Sequence, residues 1–141
     1  NGRCKAILID NGSGVSIVPS EAGIENIVRY NASTAPVRLS YTNGTQGHAT
    51  ASGVRTYRCL DTNGMIRVFK GPVVVAPDIV CEILSADAAA HMGFDTTTTK
   101  RVSDGSIACE VRHRDQNYRL CTHRGAGVSY LLSFDVQEHR T

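Results

Sequence analysis

Short apolar or alternating stretches, separated by residues that favour turns, run through most of the chain. Four dipeptides typical of tight hairpin turns lie between these stretches: Asn11-Gly12, Asn43-Gly44, Asn63-Gly64 and Asp104-Gly105. The stretches are rich in Val, Ile, Tyr and Thr, which favour strands. The pattern therefore predicts a mostly β protein, with strands at 5–9, 15–18, 37–41, 54–60, 65–69, 71–75, 106–112, 118–122 and 129–134.

One segment departs from the β pattern. Residues 85–92, Ser-Ala-Asp-Ala-Ala-Ala-His-Met, are rich in strong helix formers, with Ser85 placed to cap the start and Gly93 to stop the end. They predict one short α-helix. A second helix is compatible with residues 20–30, because Ile24, Ile27 and Val28 would share a face, although Gly23 weakens that pattern.

Length and composition fit one globular domain over residues 1–141. Hydrophobic residues make up 41% and charged residues 20% of the chain, which is ordinary for a protein that buries a core. The net charge of +2 is small and its basic residues are scattered, so we expect no direct nucleic-acid binding. The apolar runs are the length of strands and not of membrane helices, so no membrane partner is expected.

The cysteines indicate a reducing compartment. There are five, an odd number, and no two of them form a CxxC pair, so we expect reduced thiols and no disulfide framework. The first residues lead directly into an apolar strand without the pattern of a signal peptide. These features predict an intracellular, cytoplasmic protein.

One carboxylate stands where catalytic chemistry could use it. Residues 6–9, Ala-Ile-Leu-Ile, form an apolar strand that leads directly to Asp10, followed by Asn11, Gly12 and Ser13. In aspartic proteases two such carboxylates face each other and share a proton, one acting as base on a water and the other as acid. Glycine in the third position allows close approach of the backbone, and a small residue after it leaves room for hydrogen bonds to the carboxylate.

A plainer interpretation of the same residues is a hairpin turn. Asn-Gly between two apolar runs is a strong short-range hairpin signal, in which Asp10 would only flank the turn. The chain has a single Asp-x-Gly-Ser sequence, and we interpret the superficially similar Asp61-Thr62-Asn63-Gly64 as a turn because its glycine comes one position late. A catalytic pair would therefore need a second copy of the chain.

Other segments decide between these interpretations by their order. Residues 71–85 run from a strand through Ala76-Pro77-Asp78-Ile79 to Ile83-Leu84-Ser85, then into the alanine-rich helix and Gly93-Phe94. Upstream, residues 37–45 and 51–54 are similar to a glycine-containing hairpin and the strand after it. With the Asp10 segment, they resemble retropepsin-like aspartic proteases, closest to the copia-type (Ty1/copia) retrotransposon protease, over residues 5–94.

The resemblance implies a retropepsin-like closed β-barrel or sandwich, with residues 95–141 as a C-terminal β extension. It implies a homodimeric aspartic endopeptidase of a retroelement that cleaves a polyprotein as an extended peptide without a cofactor, in the cytoplasm or in retroelement particles. Asp10 would be catalytic and Asn11, Gly12 and Ser13 would form the active-site loop. The residues implied to contact substrate are Ile83 and Leu84 in a pocket, and Thr42, Asn43, Gly44, Thr45, Gln46 and Gly47 in a flap.

Two departures from the family pattern keep alternatives open. The family usually has Ser or Thr where this chain has Asn11, and copia-type proteins commonly have Ser or Thr in place of Gly14. A catalytically silent dimerisation or peptide-binding module, or an unrelated β-barrel binding domain, would also fit the sequence. A zinc site is a further alternative, since four potential ligands lie on two predicted strands: Cys109, His113, Cys121 and His123.

Overall fold

The chain forms thirteen strands and one short helix within the residues that the structure describes. The structure, a computed structural model, describes residues 2–10, 12–30, 37–40, 46–100, 107–125 and 128–136. The elements are β1 (Gly2–Asp10), β2 (Ile17–Val18), β3 (Glu25–Arg29), β4 (Val37–Ser40), β5 (Gln46–Ala49), β6 (Ala51–Leu60), β7 (Ile66–Val75), β8 (Glu82–Ser85), α1 (Ala86–His91), β9 (Phe94–Lys100), β10 (Ile107–His113), β11 (Arg119–Leu120), β12 (His123–Gly125) and β13 (Val128–Val136).

The main sheet closes into a six-stranded barrel. Its strands follow the order β12-β13-β1-β8-β2-β7-β6-β3, and an additional pairing of β13 with β6 joins the two sides. The closed ring is β13-β1-β8-β2-β7-β6, while β12 and β3 extend it as outer strands. Closure is made by one residue pair, Ser133 of β13 opposite Cys59 of β6. The predictions of a mostly β protein and of a closed β-barrel are confirmed.

The two ends of the chain meet in this barrel. β1 runs antiparallel to β13 from Gly2 opposite Val136 to Leu8 opposite Tyr130. On its other side β1 runs parallel to β8, with Asp10 opposite Ser85. The barrel therefore uses strands from both sides of residue 94.

An aromatic row connects the barrel with a separate three-stranded sheet, β11-β10-β9. Tyr57 of β6 stacks on Phe69 of β7 at 5.0 Å between ring centroids, and Phe69 lies 4.7 Å from Phe94, the first residue of β9. Val111 and Leu120 of the small sheet are buried in the same core cluster. The small sheet thus shares its hydrophobic core with the barrel.

The predicted short helix is confirmed as α1. Ser85 precedes it in an extended conformation and its side chain accepts a hydrogen bond from the backbone N–H of Ala88 at 3.2 Å. Gly93 follows the helix with φ of +100°, a conformation that glycine adopts without strain. Among the described residues, no helix has the length and apolar character needed to cross a membrane.

The second helix, expected over residues 20–30, is wrong because part of that segment is strand β3. Gly23 and Asn26 both have positive φ, at +75° and +55°, which a right-handed helix does not accommodate. β3 pairs with β6, with a register shift between Glu25 and Val28. Ile24 and Ile27 pack against a buried cluster, while Val28 remains exposed, so tertiary packing overrides the apparent helical spacing.

A cluster of buried charges lies where three barrel strands come together. Arg55 of β6 donates to both carboxylate oxygens of Glu82 at 2.8 and 3.2 Å and to those of Asp135 at 2.8 and 2.9 Å. Burial alone would lower the pKa of Arg55, but these hydrogen bonds and charges outweigh it and raise the pKa above its usual value. The guanidinium thus links β6, β8 and β13 as a permanent cation.

Candidate active site

Asp10 is the last residue of β1 and lies at one end of the barrel. The strand is held on both sides, by β13 and by β8, so the position of this carboxylate is fixed by the sheet. Its side chain is partly exposed. An acid that is anchored by backbone pairing and still accessible to water can take part in chemistry at the surface.

The turn after Asp10 orients its carboxylate. The backbone N–H of Gly12 donates to Asp10 Oδ1 at 2.8 Å. A Cβ at Gly12 would lie 3.4 Å from the same oxygen, an ordinary van der Waals contact. Ser13 donates from its hydroxyl to the carbonyl of Val15 at 2.6 Å and stabilises the next part of the turn. Asn11, the other residue expected in this loop, lies outside the described residues.

A pair of buried serines attaches this turn to the start of α1. Ser85 donates from its hydroxyl to the carbonyl of Ser13 at 2.7 Å, and its own N–H donates to the hydroxyl of Ser16 at 2.9 Å. Ser85 and Ser16 are almost completely buried. Sequence reasoning identified Ser85 as a helix cap and missed Ser16. The reason is that Ser85 is separated along the chain from Ser13 by 72 positions and from Ser16 by 69, so no local pattern indicates these bonds.

The hairpin interpretation of Asn11-Gly12 is wrong. β8 lies between β1 and β2, which are the two strands that such a hairpin would join. β1 pairs with β8 in parallel, and β2 pairs with β8 in the antiparallel direction, with Ile17 opposite Ile83. The segment from Asp10 to Ser16 is therefore a crossing connection over the end of β8. The turn interpretation of Asp61 is confirmed, since residues 61–65 connect β6 to β7.

The expected substrate-pocket residues are core residues in the single chain. Leu84 is 1% exposed and belongs to the central core cluster, so it does not line a surface pocket. Ile83 alternates to the other side of β8, as neighbouring strand residues do, and packs with Ile17 and Ala76 at 9% exposure. Both side chains are therefore buried in the single chain, and their contact with substrate stays a prediction.

The expected flap is described only at its base. β4 and β5 form an antiparallel pair, with Ser40 opposite Gln46 and Leu39 opposite Gly47. Gln46 and Gly47 are therefore the first residues of β5, and Gly47 is buried. Thr42, Asn43, Gly44 and Thr45 lie outside the described residues. The structure thus describes an antiparallel strand pair on either side of the expected flap tip.

The structure does not assemble the proposed zinc site. The two histidines stack on different tyrosines, His113 on Tyr118 at 5.1 Å and His123 on Tyr130 at 5.6 Å. Burial raises the pKa of the Cys109 thiol, which opposes the thiolate that zinc requires. Within the part of the chain that the structure describes, no group of three or more His, Cys, Asp or Glu residues could hold a metal ion.

Fold and site together define a class: a closed β-barrel whose first strand presents a partly exposed aspartate at a turn fixed by buried serines. No family model, no curated protein and no solved structure matches the chain. A carboxylate held in this way can accept a proton from water or donate one to a substrate, depending on its protonation state.

Proposed function

We propose that the chain is a retropepsin-like aspartic endopeptidase that acts as a homodimer, with one Asp10 from each subunit. The observation that carries the proposal is the position of Asp10, at the end of a barrel strand and beside Ser85 of β8. The sequence segments that resemble the copia-type family occur here as one connected unit of β1, β8 and α1. The order of the resembling segments and the closed barrel support the same assignment.

The proposed chemistry needs two carboxylates with different protonation states. An ionised Asp10 takes a proton from a bound water, whose oxygen attacks the carbonyl carbon of the peptide bond. The protonated Asp10 of the second subunit donates its proton to the carbonyl oxygen. When the tetrahedral intermediate collapses, the amide nitrogen accepts the proton that the first Asp10 took from water, and the carbon–nitrogen bond breaks. The second Asp10 recovers a proton from a hydroxyl of the intermediate, so that a carboxylic acid and an amine leave. Two closely placed carboxylates share one proton because two adjacent negative charges repel each other.

The proposed substrate is an extended segment of a retroelement polyprotein. Such a segment would lie between the Asp10 pair and the hairpin of β4 and β5, with residues 42–47 closing over it as a flap. Extended peptides bind such sites through backbone hydrogen bonds and alternating side-chain pockets. Closure would also exclude water from around the reacting bond.

A catalytically silent peptide-binding module is the second candidate. The observation that favours it is Asn11, which stands where the family usually has a hydroxyl residue that connects the two active-site loops across the dimer. Asparagine is longer and can both donate and accept hydrogen bonds, so it changes the geometry of that contact. This candidate keeps the barrel and the dimer and lacks turnover.

A cleavage assay with matched variants tests the proposal. We expect the wild-type protein to cleave unstructured protein substrates at mildly acidic pH, with inhibition by pepstatin. Asp10→Asn should lower kcat/KM by at least about a hundredfold because the amide cannot accept the proton of water. Asp115→Asn, which removes an exposed acid from a distant turn, is the control.

Sedimentation of the same samples separates the candidates. A dimer with pepstatin-sensitive cleavage that is lost in Asp10→Asn supports the endopeptidase. A dimer without cleavage supports the silent module. A monomer without cleavage contradicts both and leaves an unrelated β-barrel.

A further inference from the structure

A groove of about 630 Å³ lies beside the turn that follows Asp10. Its walls come from that turn, from the start of β6, from the end of β7, from Asn26 of β3 and from α1. The volume is within the range of about 300–1,000 Å³ typical of ligand sites. Representative lining residues are Gly14, Ser16, Gly53, Val54, Val73 and Ala90.

Two glycines line the groove, and the structure requires glycine at only one of these two positions. A Cβ at Gly53 would lie 2.4 Å from the side chain of Ile24, so packing of β3 on β6 requires glycine there. A Cβ at Gly14 would have no neighbour within 4 Å, and its φ is not in the left-handed region. Neither packing nor backbone conformation therefore requires glycine at position 14. Its missing side chain leaves the groove open on the side of the Asp10 turn.

The lining of the groove suits a segment that has aliphatic side chains and a polar backbone. Val54 and Val74, both partly exposed, supply an apolar lining. Asp87 and His91, one helical turn apart on α1, are exposed and form a polar rim. An occupant that buries aliphatic side chains against the valines and keeps its backbone at the rim would match both surfaces.

The position of the groove points to the peptide substrate as that occupant. Gly14 and Val15 belong both to the groove and to the connection that begins at Asp10. Four residues of chain span at most about 14 Å, so the mouth of the groove lies within the reach of about four extended substrate residues from Asp10. We propose that the groove is an accessory binding site for the polyprotein substrate, which takes aliphatic side chains about four or more residues from the scissile bond. This inference rests on the proposed function.

A digest of a library of natural peptides tests the accessory site. Three proteins are compared: wild type, Ala90→Leu, which places a larger side chain into the groove from an exposed helix position, and Ala22→Leu, the same change at an exposed turn outside it. In the wild-type digest we expect aliphatic residues to be enriched about tenfold at one or more positions beyond the third from the cleaved bond, equivalent to about 1.4 kcal/mol. Ala90→Leu should abolish this distal enrichment, and Ala22→Leu should retain it. Preferences next to the cleaved bond are the internal reference.

The outcomes distinguish the accessory site from the proposed function. Cleavage without distal enrichment, or with enrichment that survives in Ala90→Leu, overturns the accessory site and leaves the endopeptidase standing. If none of the proteins cleaves the library, the proposed function fails, and the groove is then tested by fluorescence anisotropy with a labelled ten-residue Leu-rich peptide. Binding that weakens about tenfold in Ala90→Leu alone would still support a peptide groove. Absent or unchanged binding would reject it.

Discussion

Asp10 and Asp61 both lie at the end of a barrel strand, but their carboxylates have different surroundings. Asp61 is 1% exposed and accepts hydrogen bonds from the N–H groups of Asn63 and Met65 and from Arg67, each at 2.8 or 2.9 Å. Asp10 is partly exposed and accepts one from Gly12. The hydrogen bonds of the Asp61 carboxylate thus stabilise the turn between β6 and β7, whereas the Asp10 side chain remains partly exposed.

The Asp61 turn should make the protein sensitive to acid. The N–H of Met65 and the side chain of Arg67 lower the pKa of Asp61 below its usual value. Because the folded pKa is the lower one, the stabilisation is complete above the unfolded value of about 4 and is lost as the pH falls through the folded pKa. We expect Asp61→Asn to lower the free energy of unfolding at pH 7 and to flatten its decline below about pH 4.

Urea denaturation followed by circular dichroism between about pH 2 and 7 measures this effect. Asp115→Asn, which neutralises an exposed acid, is the comparison, and its curve should follow that of the wild type. If Asp61→Asn and the wild type lose stability in parallel below pH 4, the turn carboxylate does not contribute in the way described.

Ser85 connects three elements, because it ends β8, caps α1 and holds the Asp10 turn. Ser85→Ala removes the bond to the carbonyl of Ser13 and the cap on Ala88. The partly buried carbonyl of Ser13 would lose its partner and α1 its cap, so we expect a loss of about 1–3 kcal/mol in the free energy of unfolding. Hydrogen exchange of the amides of residues 12–16 should become faster, since the turn is released from the helix.

Ser20→Ala is the matched control, because the Ser20 hydroxyl accepts a single bond at an exposed turn. Its effect should remain within about 0.5 kcal/mol. Equal stability and equal exchange in the two variants would show that the Ser85 contacts do not restrain the turn.

The local pattern identified α1 because its signals are contained within the segment itself, from the Ser85 cap to Gly93. β3 escaped identification because its Ile and Val spacing suits a helix, and only the pairing with β6 makes it a strand. The sequence placed Asp10 at a strand end. It could not show β8 inserted between β1 and β2, because that arrangement depends on residues about 70 positions apart and leaves no periodicity in either segment.

Arg55, Glu82 and Asp135 connect three barrel strands through one buried guanidinium. No local sequence signal pairs these residues, which lie 27 and 80 positions apart along the chain. Arg55→Met would leave the carboxylates of Glu82 and Asp135 buried without their cation. We expect a loss of about 3–5 kcal/mol in the free energy of unfolding, because an unpaired buried charge costs more than the pair contributes.

The double variant Arg55→Met/Glu82→Leu gives the decisive comparison. It should be more stable than the sum of the two single losses predicts, by about 0.5–3 kcal/mol, because it removes both members of the more buried pair. Urea denaturation of the four proteins in the cycle measures the difference. Additive losses would show that Arg55 and Glu82 contribute independently to barrel stability.

The antiparallel pairing of β1 with β13 has a consequence for how the protein reaches its native state. The contact between Gly2 and Val136 joins nearly the whole length of the chain. Forming such a contact costs the entropy of closing a very long loop before any packing stabilises it. Folding is therefore expected to take milliseconds to seconds. During synthesis, β1 emerges from the ribosome long before its partner and presents an unpaired apolar strand. We therefore expect a pause in synthesis between β1 and β13 to favour aggregation.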